Sequence, residues 1–422
     1  MEKEENKCSA IFKDILNAAG LTLLAVVIGA FAGAVDALFG RVLTYIGVFR
    51  DANLYYTVPF LPLAGLLILF VLKRFGKGSI EGMHRIFDCY DEKKDDIPLR
   101  MIPMAMTGTW LTHLAGGSVG REGVAVQMSC AFSYNIAKKV RLKNAKRILL
   151  VAGVAAGFAG LFRTPLAAIF FAMELFCVGL LQVEALLPAA AAAFTASEIS
   201  GLLGMERFSA GAVATVDLGA PNVAKLVILG LLCAFAGVLF SVLIKKLRGL
   251  FKKILPNAYI RIAVIGAFCA ALIIFLWQGR WAISSELSLS GLIENALTGG
   301  TVFGWDFALK LILTAVCVAA GFQGGEVAPL FAIGATLGAA VSAFLGLPPA
   351  FCAAVCYAAV FGAGTNTLIA PVLVGAEIFG YEFIPCLFIV CLVAYCCNFN
   401  KSIYPQHTFY ESLKGIFYKK NV

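Results

Sequence analysis

The sequence is poor in charge: only 14% of its 422 residues are Asp, Glu, Lys or Arg, and only three are histidine. A soluble domain carries about 25% charged residues. Charge this sparse is typical of a chain that lies mostly in hydrocarbon, where ionised side chains are costly. Hydrophobic residues make up 60% of the chain. The length would fit two or three soluble domains, but the composition predicts one membrane bundle.

Metal-binding and leader motifs are also missing. The 13 cysteines form no CxxC pair and no Cys/His spacing of a zinc site, and many lie inside apolar runs. We therefore predict buried free thiols and no metal site. No cofactor is evident, and a structural monovalent cation is left open. The acidic N-terminus lacks the basic region and cleavage site of a signal peptide.

The charge that is present is unevenly placed. The net charge is +9, and the basic residues cluster between apolar runs. Short basic loops stay on the cytoplasmic side of a membrane, so we expect the clusters, the segment 1–13 and both termini to be cytoplasmic, in an inner (plasma) membrane. Membrane-length segments separate the clusters, which argues against nucleic-acid binding. The clusters contain Lys138, Lys139, Arg141, Lys143, Lys146 and Arg147; Lys245, Lys246, Arg248, Lys252 and Lys253; and Lys414, Lys419 and Lys420.

Several apolar runs approach the roughly 20 residues that a membrane helix needs. Glycine- and proline-broken segments lie between them, at 116–127, 321–329 and 363–371. Broken backbone at membrane depth is tolerated only where it is buried or lines a cavity, so these segments indicate a substrate path. The predicted spans are residues 21–43, 59–72, 148–176, 223–244, 262–277, 311–321 and 385–397.

The two halves of the chain resemble each other. Ala-Ala-Gly-Phe at 155–158 returns as Ala-Ala-Val-Phe at 358–361, and Glu-Leu-Phe at 174–176 returns as Glu-Ile-Phe at 377–379, with one shared offset of 203 residues. Internal repeats with broken helices are typical of transporters whose site lies at the repeat interface. We expect one intertwined transporter domain over 1–422, with halves of about 1–203 and 204–422 and no C-terminal regulatory domain.

Glu122 is the first candidate for chemistry. It lies in the glycine-rich stretch 116–127, which leads into the start of a helix. Free amides and the positive end of the helix dipole attract an anion there. A carboxylate can occupy the same place while ionised and leave it when protonated, which would couple anion binding to a proton. The alternative is a glutamate that only caps the helix.

At this point the sequence resembles a known family. Residues 120–127, Gly-Arg-Glu-Gly-x-x-Val-Gln, are similar to the gating-glutamate motif of the CLC family of chloride channels and anion/proton antiporters. Residues 155–174, with Phe162 and Pro165, resemble the segment that follows that motif, and residues 325–331 resemble the second-half anion motif G-x-F-x-P. Tyr404 falls where the family has an inner-gate tyrosine; the alternative is a tyrosine of the aromatic belt at the membrane interface.

The resemblance covers nearly the whole chain and has structural implications. It implies an all-α polytopic CLC-type fold of two inverted-topology repeats, whose broken helices meet at the membrane midplane. It also implies a homodimer with one anion pathway in each subunit. The anion-site residues that it implies are Gly120, Arg121 and Gly123 beside Glu122, then Val327, Ala328 and Tyr404, and Met83 and Phe87 by the comparison made next.

Departures from the family pattern point to one branch. Chloride-handling members have G-S-G-x-P before the gating motif, whereas residues 76–87 read GKGSIEGMHRIF without a proline. The fluoride-exporting branch, CLC-F, is similar here because many members carry a methionine in the serine's place, matched to Met83. Ser79 is a competing match. Phe87 lies one turn after Met83, on the same helical face. Core packing by these two side chains is the alternative reading of that spacing.

The second anion motif departs as well. Val327 replaces its phenylalanine, Glu326 introduces a second carboxylate on the ion route, and Ala328 stands where the fluoride branch often has threonine. Leu175 replaces the second of two successive glutamates that chloride/proton exchangers often have, so their inner proton relay is missing. For Glu174 and Glu377 we expect paired structural roles.

These observations together predict a fluoride/proton antiporter, not an enzyme, that exports cytoplasmic fluoride in exchange for inward-moving protons. The alternative within the family is a chloride/proton exchanger or chloride channel. An intramembrane enzyme using Glu122 and Glu326 would need a nucleophile or a metal cluster, and the sequence shows neither. The expected partners are fluoride, protons, the lipid bilayer and a second copy of the chain, whose interface candidates are residues 180–193 and 384–393.

Overall fold

The computed structural model describes residues 2–76, 78–208, 213–275 and 291–408, which are mostly helical. The basic residues predicted at 414, 419 and 420 and the end of the predicted span 262–277 lie outside these ranges. The helices of the first half are α1 (Glu2–Ala52), α2 (Leu54–Thr57), α3 (Leu61–Phe75), α4 (Met83–Tyr90), α5 (Met101–Leu114), α6 (Glu122–Ala137), α7 (Ala145–Phe162), α8 (Pro165–Glu174) and α9 (Leu186–Leu202). Those of the second are α10 (Ala220–Ile254), α11 (Ala258–Phe275), α12 (Leu292–Thr298), α13 (Asp306–Ala320), α14 (Val327–Leu345), α15 (Pro349–Thr365), α16 (Ile369–Phe379) and α17 (Ile384–Cys396).

Within the described ranges, seven helical segments are long and apolar enough to cross a bilayer. They are Ile11–Ala52, Leu54–Phe75, Ala145–Phe162, Val183–Leu202, Ala220–Ile254, Ala258–Phe275 and Val327–Leu345. Shorter apolar helices, such as α8 and α16, lie in the interior of the bundle. This mixture of full spans and short buried helices confirms the predicted multi-pass membrane protein.

The predicted span 148–176 is wrong as a single helix. The chain breaks after Phe162, because Arg163 takes a left-handed conformation with φ of 56° and Pro165 starts a new helix. Proline disfavours helical backbone in the residue before it and supplies no N–H. Residues 148–176 therefore contain most of α7 and the whole of α8, and a helix start lies inside the protein.

The repeat predicted from the sequence is visible in the packing. The pair α6 and α7 corresponds to the pair α14 and α15, and the short helices α8 and α16 pack against each other. The left-handed Arg163 between α7 and α8 has its counterpart in Asn366, with φ of 57°, between α15 and α16. The two halves thus turn the chain at equivalent places.

Glu174 and Glu377 join the halves by exchanging caps. The Glu174 carboxylate, at the end of α8, accepts hydrogen bonds from the amides of Ile369 and Ala370 at 2.9 and 3.1 Å. The Glu377 carboxylate on α16 accepts from Leu166 and Ala167 at 3.3 and 2.8 Å. A helix start leaves such amides without an intrahelical partner. Each repeat therefore caps a short helix of the other, which is the structural role expected for this pair.

One short strand pair departs from the helical pattern. β1 (Cys177–Val178) follows α8 and pairs in parallel with β2 (His407–Thr408). His407 also lies 2.6 Å from the Asp91 carboxylate through its Nε2. These contacts hold the segment that carries Tyr404 against the ends of α4 and α8.

Candidate functional site

Glu122 lies where the two repeats touch. It is the first residue of α6 and is only 1% exposed. Its Oε2 accepts hydrogen bonds from the amide of Arg121 at 3.1 Å and, across the repeat interface, from the amide of Ala328 at 2.9 Å. The carboxylate thus occupies the amide-lined, positive ends of two helices, which are suited to anions.

The other oxygen of the Glu122 carboxylate is less fully bonded. Oε1 lies 3.5 Å from Nε of Arg121 and is buried without a hydrogen-bond partner among the described residues. A carboxylate oxygen can accept about two hydrogen bonds. The side chain is therefore anchored through one oxygen and retains acceptor capacity on the other.

Glycines allow the two loops to approach so closely. Gly120 and Gly325 form an antiparallel bridge with N···O distances of 2.6 and 2.7 Å in the two directions. A Cβ on Gly325 would lie 2.8 Å from the amide nitrogen of Gly123, and a Cβ on Gly120 would lie 2.8 Å from Cδ of Pro329. Gly120, which the resemblance implied for the anion site, and Gly325 therefore set the distance between the helix starts. A Cβ on Gly123, also implied for that site, would meet Cα of Gly325 at an ordinary 3.4 Å.

The second loop presents its glutamate differently. Glu326 precedes α14 as its N-cap residue, and no side-chain hydrogen bond caps that helix. Oε2 of Glu326 lies 3.9 Å from the place that a Gly123 Cβ would occupy. Val327 and Ala328, the next two residues, are buried at the start of α14. Glu326 thus lies beside the start of α6 and two residues before Ala328, whose amide Glu122 uses.

Met83, Phe87 and Tyr404 form a third wall. Met83 begins α4 and is 8% exposed, and Phe87 follows one turn later at 2%. The Phe87 ring stacks on Tyr404 at a centroid distance of 6.0 Å and contacts Phe176 at 5.1 Å. Ring edges and hydroxyls are the groups that can face an anion. Phe87 lies behind Tyr404, whereas Met83 and Tyr404 themselves border open space.

A cavity of about 600 Å³ leads to these residues from one face of the protein. Met83, Tyr404, Glu326 and Gln127 lie on its wall, but Ser79 and Glu122 do not. Ser79 is 5% exposed in the turn before α4, and its hydroxyl has no hydrogen-bond partner among the described residues. The structure therefore brings Met83, rather than Ser79, to the cavity, and places Glu122 beyond its inner end.

Among the charged residues that line the cavity, five are Lys or Arg and three are Asp or Glu. Lys245, Arg248 and Lys252 from α10 and Arg261 from α11 line one side. At the rim, the hydrogen bond from Lys94 lowers the pKa of Glu81, so this exposed carboxylate stays ionised and paired. An excess of positive over negative charge along a cleft attracts anions. The cavity is thus an entrance suited to a small anion.

A polar brace that the sequence did not predict supports the Glu122 loop. Lys310 of α13 is fully buried and donates a hydrogen bond from Nζ to Oγ of Ser118 at 2.9 Å. That oxygen lies 2.8 Å from Oγ1 of Thr314. A lysine in an apolar helix was the available signal, because an intramembrane charge is costly and needs partners.

Metal binding finds no support in the described ranges, where no group of three His, Cys, Asp or Glu side chains is placed to hold an ion.

Comparisons with known proteins agree with this geometry. Residues 63–398 match the family model described as Voltage gated chloride channel. The chain is 32% identical over 394 residues to a "Chloride/fluoride channel protein" of Pseudomonas syringae pv. tomato, covering 90% of this chain and 84% of that protein. It is 26% identical over 369 residues to the "H(+)/Cl(-) exchange transporter ClcA" of Yersinia pseudotuberculosis, covering 80% and 74%.

Solved structures show the same relationship. A "CLC-type fluoride/proton antiporter" superposes with a TM-score of 0.89 at 43% identity, covering 92% of this chain and 98% of that one. A "slow cyanobacterial Cl-/H+ antiporter" superposes with a TM-score of 0.78 at 20% identity, covering 95% and 99%. The second likeness shows the shared fold, and the first adds close sequence similarity.

Proposed function

The chain belongs to the voltage-gated chloride channel family, and we propose that it is an antiporter that exports cytoplasmic fluoride in exchange for inward-moving protons. The observation that carries this proposal is the position of the Glu122 carboxylate. It accepts a hydrogen bond from an amide of the opposite repeat, at a place suited to an anion. The 43% identity to a fluoride/proton antiporter supports fluoride as the anion. The arrangement favours transport over enzymatic chemistry.

Competition at the repeat junction would supply the coupling. The amides of Arg121 and Ala328 favour the ionised Glu122, as does the helix dipole. Fluoride arriving at these amides displaces the carboxylate, which then takes a proton from the other side. Fluoride and the proton thus favour different positions of the Glu122 side chain, and such a difference is what coupling requires.

The excess of basic residues on the cavity wall indicates which side of the membrane the cavity faces. Lys245, Arg248 and Lys252 lie on the same helix end, and short basic segments face the cytoplasm. We assign the cavity to the cytoplasmic side, where it would concentrate fluoride near Met83 and Tyr404. Glu326, on the same wall, is suited to pass protons between the cavity and the Glu122 region.

The anion-site assignment follows the cavity wall. Met83, Val327, Ala328 and Tyr404 would surround the anion, with Phe87 fixing the ring of Tyr404. Fluoride is small and strongly hydrated, so its site must replace many hydrogen bonds from water. Helix-start amides can do so because they are fixed donors, and a methionine removes the hydroxyl that chloride-handling relatives place there.

A chloride exchanger or channel is the second candidate. The buried Ser79 hydroxyl, which has no hydrogen-bond partner in the described part of the chain, favours it as a free donor. The deciding experiment is a flux assay in proteoliposomes, with fluoride or chloride gradients and with or without a proton gradient. We expect fluoride to move much faster than chloride and to drive protons uphill. Equal fluoride and chloride fluxes would contradict the proposal.

Assembly is proposed to be a homodimer. Large apolar side chains stay exposed on the segments predicted for the interface, with Leu187 at 64%, Val183 at 63% and Phe388 at 48%. An apolar face within a bilayer contacts either lipid or another helix, and close packing favours the latter. Crosslinking in lipid should yield a dimer, and a strictly monomeric protein in both lipid and mild detergent would contradict this assignment.

A further inference from the structure

Gln127 has an unused amide in the inner cavity. It lies on α6, is 9% exposed, and lines the cavity together with Met83 and Glu326. No hydrogen bond joins its side chain to any other residue of the described ranges. Buried polar groups in native proteins are nearly always hydrogen-bonded to protein or to ordered water. The donors of this amide are therefore open to water or to an ion that enters the cavity.

The neighbours of Gln127 fix where that amide lies. A Cβ on Gly82 would be 3.4 Å from Oε1 and 3.5 Å from Nε2 of Gln127. Gly82 has φ of 54° and precedes α4 as its N-cap, without any side-chain cap on that helix. The Gln127 amide is thus packed against the start of the helix that presents Met83 to the cavity.

The other side of the residue faces the second repeat. Gly123 lies one turn before Gln127 on the same face of α6. A Cβ on Gly123 would lie 3.4 Å from Cα of Gly325 and 3.9 Å from Oε2 of Glu326. Gln127 therefore lies between the starts of α4 and α14. It is about one helical turn from Glu122, toward the cavity.

The chemistry of the amide suits a fluoride ion in this place. A glutamine carries two N–H donors, whereas the carboxylates of Glu122 and Glu326 carry none when ionised. We propose that Gln127 donates a hydrogen bond to fluoride between the cavity and the Glu122 site, and so helps to select fluoride over chloride. This inference rests on the proposed fluoride transport. Chloride, a larger and weaker acceptor, loses less when the donor is removed.

The test compares Gln127→Met with the unmodified protein in proteoliposomes. Methionine has nearly the shape of glutamine but no N–H donor. We expect initial fluoride efflux to fall about tenfold, the effect of losing one hydrogen bond to an ion, while chloride efflux stays within about twofold. Gln127→Asn, which keeps the amide, should restore part of the fluoride-to-chloride ratio.

Ser241→Ala is the matched control. Ser241 lines the same cavity, but its hydroxyl already donates to the carbonyl of Val238 at 2.9 Å. This variant should leave the ratio unchanged. If the methionine variant does not reconstitute, Gln127→Leu, which also lacks an N–H donor and adds no charge, should show the same loss of the fluoride-to-chloride ratio.

The outcomes separate this inference from the proposed function. An unchanged fluoride-to-chloride ratio in Gln127→Met and Gln127→Leu, or an equal fall of both fluxes, would overturn the role of Gln127 while leaving fluoride/proton exchange intact. Failure of the unmodified protein to prefer fluoride would instead overturn the proposed function.

Discussion

Four glutamates lie where the two repeats meet, and they form two pairs of different symmetry. Glu174 and Glu377 each cap a short helix of the opposite repeat through two amides. Glu122 also reaches an amide of the opposite repeat, but Glu326 reaches none of α6 and faces the cavity instead. The symmetric pair holds the halves together, and the asymmetric pair leaves one carboxylate at the junction and one on the entrance side.

The comparison teaches how to separate structural from functional carboxylates in an inverted repeat. A glutamate that only fixes the backbone can do so equally well in both halves, so its geometry is the same in both. Transport through a single pathway needs different groups at its two ends. We therefore expect changes at the symmetric pair to alter stability, and changes at the asymmetric pair to alter ion coupling.

The largest effect is expected at the glycine bridge that fixes the asymmetric pair. Gly325→Ala would place a Cβ 2.8 Å from the amide nitrogen of Gly123, a distance that forces the helix starts apart. We predict a loss of fluoride flux of at least 100-fold or a failure to assemble. Gly123→Ala, whose Cβ would meet Gly325 at an ordinary 3.4 Å, is the control and should keep most activity. Similar flux in both variants would contradict the close-approach argument.

The next effect concerns the symmetric pair. Glu377→Ala leaves the amides of Leu166 and Ala167 without their carboxylate, and removing a hydrogen bond to a charged group costs about 2 kcal/mol. Thermal unfolding in detergent should show a lower midpoint, and Glu174→Ala should lower it by a similar amount. The protein that remains folded should keep its fluoride-to-chloride ratio and its proton coupling. A selective loss of coupling with normal stability would break the distinction between the pairs.

A smaller effect is expected on the selectivity between fluoride and chloride. Met83→Ser places a hydroxyl at the start of α4, on the cavity wall. One added hydrogen-bond donor should improve chloride flux about tenfold, with less change in fluoride flux. Ion-selective electrodes on proteoliposomes measure both rates. Ser79→Ala is the companion variant, and a larger shift there than at Met83 would assign the anion site to Ser79.

The smallest effect is expected at the second carboxylate. Glu326→Gln keeps the shape but cannot ionise, so proton movement linked to fluoride should slow a few-fold without being lost, because Glu122 remains. Simultaneous recording of pH and fluoride gives the ratio of the two fluxes. Complete loss of proton movement would show that Glu326 is the carrier rather than an accessory group.

Much of this architecture could be predicted from the sequence because it is local or repeated. The glycine-rich stretch before Glu122 indicated a helix start, and the offset of 203 residues related the halves. That same offset relates Asn366, within a predicted break, to Arg163, where no break was predicted. Transferring the predicted break at 363–371 to the first half by this offset would have divided the predicted span 148–176 into two helices.

The remaining features depend on contacts between distant parts of the chain. The exchange of caps by Glu174 and Glu377 joins residues that are 195 to 211 positions apart. Neither hydrophobic periodicity nor a local motif records such contacts. The unused amide of Gln127 was hidden for the same reason, since only the packed starts of α4 and α14 show that it has no partner.

Uphill proton movement driven by a fluoride gradient tests the central claim most directly. In proteoliposomes with equal pH on both sides, the unmodified protein should acidify or alkalinise the lumen according to the direction of the fluoride gradient. Glu122→Gln has nearly the same shape but cannot ionise, and we predict that it abolishes this proton movement while fluoride flux continues or slows. If Glu122→Gln still drives protons uphill on a fluoride gradient, Glu122 is not the group that couples the two ions.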